Sequence, residues 1–162
     1  MTEDFSDFYQ EHYTRLVASL SFAAPRRRDI EDVAQEAFAR VCARWSRIRG
    51  GSNPPGYLYR VAFRLLFRRA PPQPTTVSTL SIDYEDSPIT NVVVRNALEL
   101  LPAKQRAVAV LCLYLELQPN EAAQIMRVRP STARVHLHRA RQTLAAALAD
   151  DLDEVLTRRE PG

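Results

Sequence analysis

The segment between residues 70 and 90 restricts the fold of this chain more than any other feature. It is rich in proline, serine and threonine and has no helical periodicity, so the sequence predicts a linker over residues 70–93. On either side of it, apolar residues recur at every third or fourth position, and no alternating pattern typical of strands competes. The predicted fold is therefore all-α, with two small helical domains over residues 1–69 and 94–149 and an acidic C-terminal tail over residues 150–162.

Seven helices are expected from the positions of the apolar stripes, prolines and glycines. Three precede the linker: from about Phe5 to just before Pro25, from about Asp29 to Trp45, and over about residues 55–69. Four follow the linker, over residues 92–101, 102–115, 119–126 and 130 to about 148.

The net charge of +3 conceals an uneven distribution along the chain. Residues 1–69 carry 12 arginines against 8 acidic residues, and residues 94–149 carry 8 basic residues against 3 acidic ones. The predicted linker has three acidic residues and no basic one, and the tail is also acidic. Two basic blocks suit two modules that contact DNA, because Lys and Arg neutralise phosphates and release counterions. Arginine outnumbers lysine 21 to 1, which a GC-rich genome would also produce.

Several classes of function are disfavoured by what the sequence lacks. The two cysteines, Cys42 and Cys112, have no metal-binding spacing, and the chain opens on polar residues, so we expect a reducing cytoplasm. No apolar run approaches the ~20 residues of a membrane span, so no membrane insertion is expected. No Gly-rich phosphate loop, Cys/His cluster or nucleophile paired with a base is recognisable. We therefore predict no enzyme activity, no catalytic residue, no metal and no cofactor.

Residues 119–141 have the pattern of a helix-turn-helix. A short helix with two small residues leads through a three-residue turn into a helix that starts at Pro130. In that second helix Ala133, Leu137, Ala140 and Leu144 recur at spacings of four, three and four and should face the core.

The N-terminal end of the same helix should then face outward, where such a helix enters the major groove. Candidates for base edges are Ser131, Thr132, Arg134, Val135 and His138. Candidates for phosphates are Arg129, Arg139 and Arg141. Helix pairs with a basic outer face also occur in plain helical bundles, so periodicity alone leaves both interpretations open.

Taken together, these patterns resemble the extracytoplasmic-function (ECF) subfamily of sigma-70 family sigma factors, over about residues 5–69 and 94–148. Three fragments resemble sigma region 2: Phe8-Tyr-Gln-Glu-His-Tyr-Thr-Arg-Leu, Asp29-Ile-Glu-Asp-Val-Ala-Gln-Glu-Ala-Phe and Gly56-Tyr-Leu-Tyr-Arg-Val-Ala. Three others resemble region 4: Leu98-Glu-Leu-Leu-Pro-Ala-Lys-Gln-Arg-Ala-Val, Glu121-Ala-Ala and His138-Arg-Ala-Arg. Their order and spacing within one chain carry the resemblance.

The resemblance implies a role for each block. Region 4 would read the −35 promoter element as duplex, and region 2 would read the melted −10 strand. The residues that match the surface docking on the β′ clamp helices of RNA polymerase are Asp32, Gln35, Glu36 and Phe38. Those that match the −10 reading loop and the helix after it are Arg47, Arg49, Ser52, Asn53, Tyr57, Arg60 and Arg64. The carboxylates of Asp29 and Glu31 are interpreted instead as a solvated face near a helix N-terminus.

The chain departs from the family pattern at several positions. Arg64 and Arg68 occupy positions where the family commonly has Asn and Asp, and Glu116 replaces a frequent Gly before the helix-turn-helix. Arg127 occupies a turn position that commonly holds Gly, and Arg129 replaces the usual capping Ser. These departures indicate a divergent or specialised member.

The expected function is that of a bacterial, cytoplasmic initiation factor that holds core RNA polymerase at a promoter, with contacts to the β′ clamp helices and the β flap. An anti-sigma factor that covers the polymerase-binding faces is the expected regulator. The acidic residues of the predicted linker, Asp83, Glu85 and Asp86, would suit a basic RNA exit channel or a simple tether equally. Two alternatives stay open: a helix-turn-helix regulator that acts without polymerase, and a degenerate sigma-like protein that sequesters polymerase or an anti-sigma factor.

Overall fold

The computed structural model describes residues 4–68 and 88–159 and confirms the all-α prediction. The chain divides into two compact units, one before and one after the boundary between Thr79 and Leu80. All of the regular structure in the described ranges is helical. Most of the predicted linker, including its three acidic residues, lies outside those ranges.

Unit 1, the N-terminal unit, contains four helices. They are α1 Phe5–Ala23, α2 Ile30–Ala43, α3 Trp45–Ile48 and α4 Pro54–Arg68. The three long helices were predicted from their apolar stripes. The four-residue helix α3 was not predicted, because a single turn is too short to show a period of 3.6 residues.

Helix α2 packs against both α1 and α4, and this contact forms the core of unit 1. Large apolar side chains from all three helices are fully buried there: Phe8, Leu16, Leu20, Ile30, Val33, Phe38, Val41, Leu58, Phe63 and Leu66. An aromatic cluster adds Phe5, Tyr9, Tyr13 and Trp45 around Phe8 and Phe38. Burial of a side chain of this size stabilises the fold by roughly 1.5–3 kcal/mol, so the cluster fixes how α1 lies on α2.

Arg27 joins the start of α2 to the end of α4. Its guanidinium donates to both carboxylate oxygens of Asp29, at 2.9 and 2.7 Å, and its Nη1 donates to the Leu66 carbonyl oxygen. The expectation that Asp29 belongs to a solvated face is therefore wrong, because its carboxylate is held by Arg27 and only 21% exposed. Glu31 is exposed, as expected.

Unit 2, the C-terminal unit, is built on one long helix. Its helices are α5 Pro88–Glu99, α6 Ala103–Ala109, a π-helical turn Val110–Tyr114, α7 Pro119–Met126 and α8 Pro130–Arg159. Helices α5, α6 and α7 all pack on α8. The predicted core positions Ala133, Leu137 and Ala140 are buried, whereas Leu144 is half-buried.

Two boundaries of the predicted domains differ from the structure. Helix α5 begins at Pro88, inside the segment predicted as linker, where a proline suits the first helical position because no backbone donor is needed there. Helix α8 continues to Arg159, through most of the predicted tail. Its alanine-rich stretch after Leu144 retains a high helix propensity although the apolar stripe has ended. No helix in the described ranges is both long and apolar enough to span a membrane.

Arg106 of α6 closes the C-terminal end of α5. Its Nε donates to the Leu98 carbonyl at 2.8 Å, and its Nη2 donates to the Leu101 carbonyl at 2.9 Å. The last carbonyls of a helix have no partner within the helix. One guanidinium thus satisfies the Leu98 carbonyl of α5 and the Leu101 carbonyl of the following turn, and it fixes the turn between α5 and α6.

Replacing Arg106 by Met should therefore destabilise unit 2 by about 1–3 kcal/mol, because part-buried carbonyls lose charged donors. Thermal denaturation followed by circular dichroism measures this loss. Arg106→Lys is the matched control. It keeps the positive charge but loses the planar guanidinium that donates to two carbonyls at once, so it should recover only part of the stability. A melting temperature unchanged in Arg106→Met would contradict this assignment.

Candidate functional site

The outer face of α2 carries three of the four residues predicted to dock on polymerase. Asp32 and Gln35 are exposed, and Glu36 is half-buried. The Gln35 amide donates to the Tyr9 hydroxyl at 2.7 Å, which ties this face to α1. Glu36 accepts from Arg40, one turn further along, at 2.9 Å.

Tyr13 lies beside this face, and burial raises the pKa of its hydroxyl, with a further contribution from the Glu31 carboxylate. The phenol therefore stays neutral well beyond physiological pH. Because Gln35 is held by a tyrosine of α1, its amide is preorganised rather than freely rotating. The face presents oriented polar groups on a rigid helix pair.

Phe38 corrects the predicted docking surface. Its side chain is only 2% exposed and packs against Phe8 and Tyr9, with ring centroids 6.3 and 4.6 Å away. A side chain so enclosed cannot contact a partner directly. Phe38 supports the face from beneath by holding α1 against α2.

The segment formed by α3 and the loop before α4 is exposed where it carries predicted residues, as a nucleic-acid contact requires. Arg47, Arg49, Ser52 and Asn53 are all exposed. Asn53 is also the N-cap of α4: its carbonyl accepts from the Tyr57 amide at 3.2 Å and its Oδ1 accepts from the Gly56 amide at 3.0 Å. The predicted −10 residue is therefore engaged by its own helix, and its Nδ2 lies beside Gly56.

Gly56 is required by that cap. A Cβ on residue 56 would clash with Asn53 Nδ2 and lie 2.8 Å from Asn53 Cγ, closer than real contacts allow. The capping amide occupies the space that any larger residue would need. The Gly56-Tyr-Leu-Tyr-Arg motif thus has a local structural cause.

The exposed side of α4 carries the other predicted −10 residues. Tyr57, Arg60 and Arg64 are half-buried, and the Tyr57 hydroxyl accepts from Arg44 at 3.3 Å. Tyr59, on the other side of the helix, is only 5% exposed and belongs to the core.

A cavity of about 450 Å³ lies between α2 and α4. It contains two of the predicted residues, Tyr57 and Arg64, together with arginines that sequence reasoning missed. Its lining residues are Arg40, Ala43, Arg44, Tyr57, Val61, Arg64, Leu65 and Arg68. The sequence did contain one indication of these arginines. Arg40 and Arg44 are four residues apart, as are Arg64 and Arg68, and this spacing puts each pair on one face of its helix.

The helix-turn-helix is formed by α7 and α8. Arg127 ends α7 in the left-handed conformation, with φ 56° and ψ 42°, and the Val128 amide donates to the Ala123 carbonyl at 3.0 Å. The turn position that commonly holds Gly therefore keeps its usual geometry in this chain. Ala122, Ala123 and Ala133 are buried between the helices, and their small size permits close approach.

The predicted −35 residues lie on the accessible side of α8, except Arg129, which lies in the turn just before the helix. Seven are exposed and one is half-buried: Arg129, Ser131, Arg134, Val135, His138, Arg139 and Arg141, with Thr132 the half-buried one. Arg134 is exposed and donates to Asn120 Oδ1 across 3.5 Å, a long contact. A ligand can replace so long a contact at small cost.

His136 was not predicted as a site residue. It is half-buried, and burial lowers its pKa, helped by the positive charges of Lys104 and Arg139. The imidazole is thus held neutral at physiological pH, so it adds no charge to the basic face of α8. Burial also raises the pKa of the Cys112 thiol, which disfavours its reactive thiolate. Within the part of the chain that the structure describes, no group of His, Cys, Asp and Glu could hold a metal ion.

Comparison with known families matches both units separately. Residues 8–70 match the family described as Sigma-70 region 2, and residues 92–144 match Sigma-70 region 4. The chain is 28% identical to the RNA polymerase sigma-E factor of Streptomyces coelicolor, over 97% of this chain and 93% of that protein.

Two solved structures are similar in fold. One is the sigma factor RpoE in complex with the anti-sigma factor NepR from Bartonella quintana, with a TM-score of 0.64, 21% identity, and coverage of 89% of this chain and 98% of that one. The other is CnrH in complex with the cytosolic domain of CnrY, with a TM-score of 0.60, 22% identity, and coverage of 91% of this chain and 88% of that one.

Gly56→Ala should destabilise unit 1 by about 0.5–2 kcal/mol, since the new methyl group displaces the capping Asn53. Asn53→Ala alone should cost a similar amount. In the Asn53→Ala background, however, Gly56→Ala should become neutral or stabilising, because the obstacle is gone and alanine favours the helix. Thermal denaturation of the four proteins checks this. Equal costs in both backgrounds would contradict it.

Proposed function

Because the chain belongs to the ECF subfamily of the sigma-70 family, we propose that its two helical units bind core RNA polymerase and read the two elements of a promoter. The chain is a sigma factor that directs transcription. Unit 1 takes the −10 element and unit 2 the −35 element. The protein itself catalyses no step: it positions polymerase in the bacterial cytoplasm.

The observation that carries this proposal is the division of α8 into two sides. Ala133, Leu137 and Ala140 are buried, while Arg134 and His138 between them are exposed. The N-terminal half of the helix can therefore enter a major groove without disturbing the core. Arg134 has the reach and the paired donors to bind a guanine edge, and Arg139 and Arg141 further along suit phosphates.

In unit 1, the exposed loop and the adjoining part of α4 suit a melted strand. Arg47 and Arg49 hold phosphates while Ser52 and Asn53 bind an extruded base. Tyr57 offers a ring for stacking, and Arg60 lies on the next turn of the same helix. Single-strand reading needs such a combination of aromatic surface and cations.

Polymerase docking is assigned to the outer face of α2, through Asp32, Gln35 and Glu36. This contact is directed at the β′ clamp helices, and a second contact joins unit 2 to the β flap. Binding of one promoter element then makes binding of the other intramolecular, which raises the effective concentration of the second module.

An anti-sigma factor is the proposed regulator. Two proteins of similar fold are known in complexes, one with an anti-sigma factor and one with the cytosolic domain of CnrY. The outer face of α2 is a target for such a partner, because covering it would block polymerase. A pull-down from the native host that recovers no such protein would argue against this form of control.

Run-off transcription on genomic fragments tests the function. Core polymerase alone should give no specific transcript, and addition of the chain should give discrete promoter-dependent products. Binding to promoter DNA without polymerase would favour the helix-turn-helix regulator. Binding to polymerase without transcripts would favour the sequestering protein.

Arg134→Ala should weaken −35 binding by about 1–3 kcal/mol and relax the preference at one base pair. Arg141→Ala is the matched comparison. It should weaken binding to all sequences alike and lower the slope of log K against log salt by about 0.9, as loss of one phosphate contact does. Quantitative footprinting with holoenzyme separates the two. An unchanged footprint and affinity for Arg134→Ala would rule out its role in base reading.

A further inference from the structure

The cavity between α2 and α4 concentrates positive charge without an acidic residue in its lining. Arg40 and Arg44 contribute from α2, and Arg64 and Arg68 contribute from α4. Four arginine side chains line one space of about 450 Å³. Arg40, Arg44 and Arg68 are exposed, so solvent weakens the repulsion among these charges, but their sum still favours an anion in that space.

The remaining walls indicate what kind of anion fits. Ala43, Val61 and Leu65 supply apolar surface, and Tyr57 supplies an aromatic ring with a hydroxyl. Guanidinium forks bind phosphate oxygens in pairs, whereas apolar and aromatic walls suit a sugar or a base. Charge together with an apolar wall points to a nucleotide rather than a bare inorganic ion.

The present partners of the α2 arginines are easily exchanged. Arg40 pairs with Glu36 on the surface of its own helix, with 52% and 32% of the two side chains exposed, and such pairs contribute little to stability. Arg44 donates to the Tyr57 hydroxyl at 3.3 Å, a long hydrogen bond. Both guanidinium groups can turn to a phosphate without a large loss elsewhere.

We infer that this cavity binds the phosphate of a nucleotide, and that Arg40, Arg44 and Arg68 act with Arg64 as a sequence-independent phosphate clamp. This inference rests on the proposed function: the phosphate belongs to the single strand read at −10, because Tyr57 and Arg64 belong both to the cavity and to the proposed −10 surface. In the family pattern, Asn and Asp commonly occupy positions 64 and 68. An aspartate there would repel a phosphate, so the clamp belongs to this chain's own sequence.

Neutral phosphate analogues test the clamp directly. Labelled single-stranded oligonucleotides with one methylphosphonate at each position in turn are titrated against holoenzyme made from core polymerase and the full chain. Wild type should lose about tenfold in affinity at one or two positions, as expected for one charge-assisted contact. The double variant Arg44→Gln/Arg68→Gln should bind the unmodified strand more weakly and lose nothing further at those positions.

Salt dependence and sequence dependence give a second readout. Each clamp arginine replaced by Gln should lower the slope of log K against log salt by about 0.7, the value for single strands. The loss should be the same for a −10 strand and for a scrambled one. Arg26→Gln is the matched control, since it removes one exposed charge from the loop before α2 and does not line the cavity.

A second titration identifies the source of the phosphate. The same variants, as the full chain without polymerase, are titrated with a free mononucleotide. Arginine-dependent binding of the mononucleotide, competing with the strand, would support the site with a free nucleotide as ligand. No binding of either, or a salt slope and methylphosphonate profile unchanged in the double variant, would overturn the clamp. Circular dichroism and polymerase binding confirm that each variant folds.

The proposed function can fail independently of the clamp. Wild-type chain that yields no promoter-dependent transcript with core polymerase would contradict the function. If wild type supports transcription but the double variant keeps the wild-type salt slope and methylphosphonate profile, only the clamp is contradicted.

Discussion

The burial of one side of α8 is the constraint on which the proposed DNA-reading surface depends. Ala133 and Ala140 have no exposed surface, and Leu137 between them is almost fully covered. With 3.6 residues per turn, these three positions fix the rotation of the helix about its axis. A change of one residue in that register would turn Arg134 toward the core, where an unpaired guanidinium is strongly destabilising. The stability of unit 2 and the exposure of its cations therefore have one cause.

In unit 1, helix α2 has one side buried against α1 and α4 and carries candidate functional side chains on the other. Its two ends differ in charge. Glu31 and Asp32 lie in its first turn, and Arg40 and Arg44 lie at its end. Acids at the N-terminus and bases at the C-terminus both complement the helix dipole. The same helix thus carries an acidic face suited to a protein partner and a basic cavity suited to phosphate. The two meet at the ion pair of Glu36 and Arg40.

Periodicity predicted the long helices and the core because both depend on local spacing, as Ala133, Leu137 and Ala140 illustrate. Phe38 shows where a resemblance misleads: its position in the motif suggested a docking contact, whereas the structure buries its side chain in the core. The arginine cavity could not be predicted, since it joins residues more than a dozen positions apart whose helices must first pack. The hydrogen bonds of Arg27 and Arg106 to backbone carbonyls likewise have no signature in the sequence.

Two left-handed residues show how the turns around α7 are maintained without glycine. Glu116 before the helix and Arg127 after it have φ of 59° and 56°, a conformation that costs a residue with a Cβ roughly 1–2 kcal/mol. Backbone hydrogen bonds hold both turns: the Leu117 amide donates to the Leu111 carbonyl, and the Val128 amide donates to the Ala123 carbonyl, each at 3.0 Å. Leu111 and Ala123 are themselves buried. The strain is therefore sustained by the core, and the angle at which α8 leaves the turn follows from packing rather than from a flexible hinge.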